Sequence, residues 1–330
     1  MGPSSPAGGD VVTGDRARRP RRTRTWLRRL GIGVLVALVV LTVASVAFNL
    51  ATRPPQRIDP GFGSYVRVGS SDVHYQRWGG RGTPIVLVPG FLESSIAWSP
   101  VGPALGEHHR VYALDLPGDG YTRYDGPMTL RSQAGLVDGF VHALGLHRPL
   151  LVGHSLGAAV VGSVALRHPR DVGGVVFADG DGLPIGLPPR WLRAAVLDSP
   201  YATTAMRVGA RWTWAARRLI VSSCGSPCPA ATRSLARRWV RPLGQLSDER
   251  NLRALMVDAD YGLSSRQVAA ISVPSAIIWG RDDQQGGSLS ATITDLHHPP
   301  VHVISDAGHL TMLADPRAFV RAVEAGAPAR

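Results

Sequence analysis

The spacing of apolar and polar positions changes character along the chain, and each change predicts a different kind of element. Residues 30–51 are 22 consecutive positions without a formal charge, apolar on every helical face. As a helix they extend about 33 Å, the thickness of a bilayer's hydrocarbon layer, and Arg28 and Arg29 flank them where caps would otherwise stand. The run therefore predicts a transmembrane helix rather than a buried core helix. From residue 65 the pattern shortens. Residues 65–68 and 73–78 alternate around Gly69-Ser70-Ser71-Asp72 and predict an antiparallel pair. The runs 85–88, 111–114, 150–153, 172–178, 275–279 and 301–304 are apolar throughout, as strands buried on both faces of a parallel sheet must be. Helix-length amphipathic stretches at 129–145, 156–168, 288–297 and 316–325 lie between them. Eight strands, with helices interleaved among the last six, predict a mostly parallel α/β sheet with a hairpin at one edge.

Residues 181–265 break this rhythm. They contain no buried-strand run and hold Trp191, Trp212, Trp214 and Trp239, four of the eight tryptophans, in arginine-rich sequence. They read as an inserted helical lid whose aromatics either line an acyl-binding pocket or pack the lid helices together. The chain thus divides into a disordered basic tail (1–29), the transmembrane helix (30–51), a Pro/Gly-rich linker (52–64), a first core part (65–180), the lid (181–265) and a second core part (266–330).

Charge changes the picture less than its total suggests. The formal net charge is +12, but residues 1–29 contribute +6 (eight Arg, two acids) and the lid +6 (twelve Arg, six acids), while the remainder balances at sixteen against sixteen. A neutral α/β core argues against nucleic acid as a partner, and the basic lid either faces anionic lipid headgroups or is simply solvated. The arginine excess before the apolar run places the N-terminus in the cytoplasm and everything after it outside, at the cell membrane. Cleavage at Ser45-Val46-Ala47 would instead release a secreted protein; the run is long for a signal peptide, which favours an uncleaved anchor. Cys224 and Cys228, the only cysteines, would in an extracytoplasmic lid form a short-range disulfide; metal binding and free thiols are the alternatives.

The candidate chemistry centres on Gly153-His154-Ser155-Leu156-Gly157, where a buried strand passes directly into a helix. This is the pattern of a nucleophile elbow, with Ser155 at the tip and glycines two residues to either side. A serine hydroxyl needs a base within hydrogen-bond reach, a group orienting that base, and donors for a developing oxyanion. Of the late histidines, His297 and His298 precede Pro299-Pro300 and His302 sits within a strand. The prolines deny these three a helical face on which to bind a metal. His309 follows the last strand in a loop at its carboxyl end, where such sheets place functional groups. For the acid, Asp283, Asp282 and Asp179 all stand at strand ends. The N–H of Leu156 and of Phe91, in the loop Pro89-Gly90-Phe91-Leu92, are the candidate oxyanion donors.

In order and spacing, five stretches make the chain resemble the α/β-hydrolase family across residues 65–180 and 266–330. They are Val88-Pro89-Gly90-Phe91, Asp115-Leu116-Pro117-Gly118-Asp119-Gly120, the elbow, Trp279-Gly280-Arg281-Asp282-Asp283, and Gly308-His309 with Asp315-Pro316. Pro89 departs from the histidine common there. The resemblance implies an α/β-hydrolase fold with an eight-stranded sheet and helices on both faces, and it favours Asp283 as the acid of a Ser155–His309–Asp283 triad. The expected function is a membrane-anchored serine hydrolase of ester or related acyl substrates, acting through an acyl-enzyme. Its partners would be a small acyl substrate and the bilayer through 30–51; no cofactor or metal is expected, and oligomeric state is left open. Thioesterase, amidase, cofactor-free peroxidase and carbon–carbon bond hydrolase activities would use the same residues. A non-catalytic binding or receptor protein is the competing class.

Overall fold

The computed structural model describes Gly2 and residues 21–184, 186–258 and 261–326. The chain divides into two compact units, Met1–Ala47 and Phe48–Arg330. Helix α1 (Arg21–Ala51) contains a stretch, Trp26–Ala51, long and apolar enough to cross a membrane. It begins at Arg21 rather than at residue 30, so residues 21–29 of the expected disordered tail are helical. Arg and Leu are good helix formers, and a helix nucleated in the apolar run propagates backward at little cost. The rest of that tail, Gly2 apart, lies outside the described residues.

The second unit is built on one sheet of eight strands, β1 (Ser64–Val68), β2 (Ser71–Trp78), β3 (Pro84–Val88), β4 (Arg110–Leu114), β5 (Leu150–His154), β6 (Gly174–Ala178), β7 (Ser275–Gly280) and β8 (Val301–Ile304). Their order is β1-β2-β4-β3-β5-β6-β7-β8, with β2 antiparallel to both neighbours and every other pairing parallel. All eight predicted strands are present. The hairpin is tighter than predicted, because Ser71 and Asp72 pair with Val68 and Arg67 and leave only Gly69 (φ +57°) and Ser70 to turn the chain. Residues 172 and 173 precede β6 instead of opening it.

Solidly apolar strands fill two cores at once. Ile85, Leu87, Leu150, Val152, Val176 and Ile278 point into a cluster that includes Trp98 and Phe319. Their neighbours Val86, Val88, Leu151, Val175, Phe177 and Ile277 point into a second, with Phe140 and Val160. This is the period-two geometry of a strand covered on both faces, and each such side chain contributes roughly 1.5–3 kcal/mol by burial. Helices α2 (Leu130–Ala143) and α3 (Leu156–Arg167) cover one face; after the lid, α9 (Leu289–Asp295) joins them and α10 (Pro316–Gly326) covers the other. Side-chain caps start them where the sequence supplies one: Thr129 accepts from Ser132 N–H at 3.1 Å and Ser288 from Ala291 N–H at 3.2 Å. Because β3 and β5–β8 run parallel, the segments after them emerge at one edge of the sheet.

The lid comprises, among the described residues, α4 (Arg190–Leu197), α5 (Pro200–Gly209), α6 (Thr213–Cys224), α7 (Arg233–Val240) and α8 (Leu246–Val257). Helix α4 buries no residue and α5 only Thr203. The Pro/Gly-rich segment before β1 is bound along the lid: Leu246 N–H donates to the Pro55 carbonyl at 2.9 Å, and Ile58 N–H to Gln245 Oε1 at 2.9 Å.

Candidate active site

The end of β5 passes into α3 through Ser155, whose backbone adopts φ 51°, ψ −119°, a strained conformation for a non-glycine residue that costs of order 1–3 kcal/mol. The surroundings hold it there. Ser155 N–H donates to the Ala178 carbonyl of the neighbouring strand at 2.9 Å. The flanking glycines are needed for close approach: a Cβ on Gly153 would lie 2.2 Å from the Gly157 carbonyl oxygen, and one on Gly157 would lie 2.5 Å from that of Val88. The elbow thus turns without clash only because both positions lack a side chain.

Ser155 Oγ lies 2.9 Å from His309 Nε2, and His309 Nδ1 lies 3.0 and 3.1 Å from the two carboxylate oxygens of Asp283. The three residues come from the ends of β5, β7 and β8. Asp283 is fixed by Gln285 N–H at 2.7 Å and Gly286 N–H at 3.2 Å, both to Oδ1. Burial works against its charge, but the hydrogen bond and charge of His309 and these amides outweigh it and hold the carboxyl below its usual range. The structure also separates the three candidate acids. Asp282 is exposed. Asp179 is fully buried and turned elsewhere, accepting from Gly280 N–H at 2.7 Å and from the Thr311 hydroxyl. Burial raises the Asp179 carboxyl to about 7 against the pull of His154, Thr311 and Gly280. Only Asp283 faces His309.

Phe91 and Leu156 stand beside Ser155 on the wall of one cavity, and among the described residues neither backbone N–H has a hydrogen-bond acceptor. They are available to a negative charge developing next to Ser155 Oγ. The loop bearing Phe91 is held from two sides. Gly90 N–H donates to Glu93 Oε2 at 2.9 Å, and Trp239 Nε1 of the lid donates to the Leu92 carbonyl at 2.7 Å. The cavity has a volume of about 490 Å³, and its lid side is mostly apolar, with Leu187, Leu192, Val196, Leu255 and Met256 lining it beside Arg193. None of the lid tryptophans lines the pocket. Trp191, Trp212 and Trp214 are 70%, 52% and 68% exposed, with Trp212 and Trp214 stacked on each other, while Trp239 packs against lid residues of the core cluster and supports the Phe91 loop.

Nothing in the local sequence signals what holds the His309 loop. The C-terminal end of α6 receives it: Gly308 N–H donates to the Cys224 carbonyl at 2.8 Å and His309 N–H to that of Ser223 at 2.6 Å. Cys224 and Cys228 form a disulfide at this point, and Gly225 (φ +89°) lets the chain turn against Gly308. Glu93 likewise escapes sequence reasoning; its one signal is a lone carboxylate in an otherwise apolar loop. For metals, Asp138, His168 and Asp171 lie within 4.8 Å of one another, partly exposed and at the opposite end of α3 from Ser155, where they pair with each other and with His142. His297 and His298 occupy exposed left-handed turn positions and His302 lies in β8, so the three share no helical face.

Residues 85–322 match the model of the alpha/beta hydrolase family. The chain is 38% identical over 87 residues to N-formylmaleamate deformylase of Pseudomonas putida, a match spanning 26% of this chain and 32% of that enzyme's length. It is 24% identical over 264 residues to pimeloyl-[acyl-carrier protein] methyl ester esterase of Aeromonas hydrophila, covering 74% of this chain and 95% of the other. A solved membrane phospholipase A, a bacterial virulence factor, shares the fold with a TM-score of 0.62 at 22% identity over 92% of this chain and 97% of its own.

Proposed function

The chain belongs to the alpha/beta hydrolase family, and from that premise we propose that it is a membrane-anchored serine hydrolase cleaving an ester or related acyl substrate through an acyl-enzyme on Ser155. One observation carries this reading: the hydrogen-bonded chain Ser155–His309–Asp283 opens onto a mostly apolar cavity beside two unpaired amides. In the forward half, His309 Nε2 takes the Ser155 proton as Oγ attacks the substrate carbonyl. The Phe91 and Leu156 amides stabilise the oxyanion, and Asp283 stabilises the imidazolium through Nδ1–H. His309 then protonates the leaving group, and after its departure the same nitrogen activates water to free the acid. The deformylase and the methyl ester esterase both act at a carbonyl attached to a leaving group. The mostly apolar lining suits an acyl chain, with Arg193 as its one charged lining residue.

Anchoring rests on the length and apolarity of residues 26–51 with arginines before them. On this reading the N-terminus is cytoplasmic and the hydrolase extracytoplasmic; secretion after signal cleavage is the alternative. Full-length protein treated with a fluorophosphonate probe is expected to be labelled at Ser155, and Ser155→Ala to remain unlabelled. Folded wild type that resists the probe would refute the mechanism. Anchoring is tested separately by sedimentation with membranes after an alkaline carbonate wash; protein recovered in the supernatant refutes it.

A further inference from the structure

Directly behind the Ser155–His309 contact lies a second, wholly buried pair that the mechanism does not use. His154 is 0% and Glu93 4% exposed. His154 Nδ1 lies 2.9 Å from Glu93 Oε2, and His154 Nε2 lies 2.7 Å from the backbone carbonyl oxygen of His309. The same Glu93 oxygen accepts from Gly90 N–H at 2.9 Å. His154 is itself the residue before the nucleophile. One imidazole and one carboxylate therefore reach all three moving parts of the site: the loop bearing the Phe91 donor, the elbow, and the backbone of the base. The contacts cross 61 and 155 positions of sequence, so they are tertiary ties rather than local turns.

We propose that His154 and Glu93 are positioning residues that lock the Phe91 loop, Ser155 and His309 into one geometry before substrate arrives. This deepens the serine-hydrolase reading and rests on it. A carbonyl oxygen only accepts, so Nε2 must carry a proton, and a carboxylate already accepting from Gly90 asks for a second proton on Nδ1. The pair is thus an imidazolium held by its counter-ion, and charge-assisted bonds of this kind are both short and directional. The groups facing His154 agree. Glu93 and Asp179, the latter 3.9 Å from Nε2, outweigh its burial and raise it to about 9, while the remaining neighbours are the His309 ring at 4.9 Å and the neutral Trp98 ring at 6.3 Å between centroids. A tie at the back of the base has leverage because the reaction tolerates little misplacement: a shift of about 1 Å costs on the order of 100-fold.

Glu93→Gln keeps an acceptor for Gly90 but removes the counter-ion, and His154→Gln keeps one donor but removes the charge. Each is expected to lower kcat about 10- to 100-fold with KM within about twofold of wild type, and to slow fluorophosphonate labelling in parallel. Because the two act as a unit, the double variant should be no slower than the worse single one. Wild-type kcat and labelling rate in folded Glu93→Gln would overturn the proposal, as would fully multiplicative losses in the double variant. Should the variants not fold, nitrogen-15 spectra of wild-type histidines decide: both ring nitrogens of His154 are expected to be protonated at pH 7, and a neutral ring overturns the idea. Loss of the triad reading looks different, since wild type itself would then escape the probe.

Discussion

The sheet edge and the lid meet across Ser155, and they hold their residues in opposite ways. Every residue of β3, β5 and β6 is buried, and beyond them Glu93 bonds to His154, 61 positions away, while Asp179 accepts from Gly280 and Thr311, 101 and 132 positions away. On the lid side of the cavity, Leu192 and Val196 of α4 line the pocket while remaining 39% and 56% exposed, on a helix that buries nothing. The edge is therefore over-determined, as a site that must keep Ser155 in a strained conformation has to be. Helix α4 is under-determined, so its surface can change with little cost to folding. The boundary is not the lid's sequence limit, however. The end of α6, with its disulfide, and Trp239 of α7 belong mechanically to the edge, because they hold the His309 and Phe91 loops.

The contrast can be broken at several points, the strongest first. Ser155→Ala is expected to reduce kcat about 10⁶-fold with unfolding unchanged, checked by single-turnover kinetics and calorimetry. Asp283→Asn should cost about 10⁴-fold in kcat by leaving the wrong His309 tautomer, whereas Asp282→Asn, at an exposed side chain, should stay within about twofold; equal losses would mean that the edge does not discriminate between adjacent carboxylates. Next comes pH. Folded His154 keeps a proton up to about 9 that an unfolded chain releases near 6.5, so its contribution is complete below 6.5 and is lost as pH rises to about 9. Denaturant titrations should show stability falling by on the order of 1.4 kcal/mol per pH unit through that window, and a flatter profile for His154→Gln. Smallest is the lid: Leu192→Ala should lower kcat/KM for a long-chain ester about 10-fold while changing stability by less than about 0.5 kcal/mol. A large stability loss there would show that α4 is held as firmly as the strands.

Much of the fold was legible because it is local. A strand buried on both faces must be apolar at every position, and 85–88, 150–153 and 275–279 are; the elbow needs two glycines and a serine at fixed spacing, all within five residues. The long apolar helix at 26–51 was legible for the same reason, although its first turns were not, since arginine-rich sequence reads as tail or as helix according to the run that succeeds it. The lid tryptophans were illegible. Their size implies burial, and only coordinates reveal that three of them stand in the open.

The succession of strands, the position of the elbow serine and the loop that carries His309 could be read from the chain alone, because periodicity and the elbow pattern are written in contiguous residues. Which of Asp179, Asp282 and Asp283 meets His309 was decided by tertiary structure, since each ends a strand and only the sheet's order and loop directions select one. The same holds for the union of Glu93, His154 and the His309 backbone. Burial and distance between residues 61 and 155 positions apart created that cluster, and no local pattern could announce it.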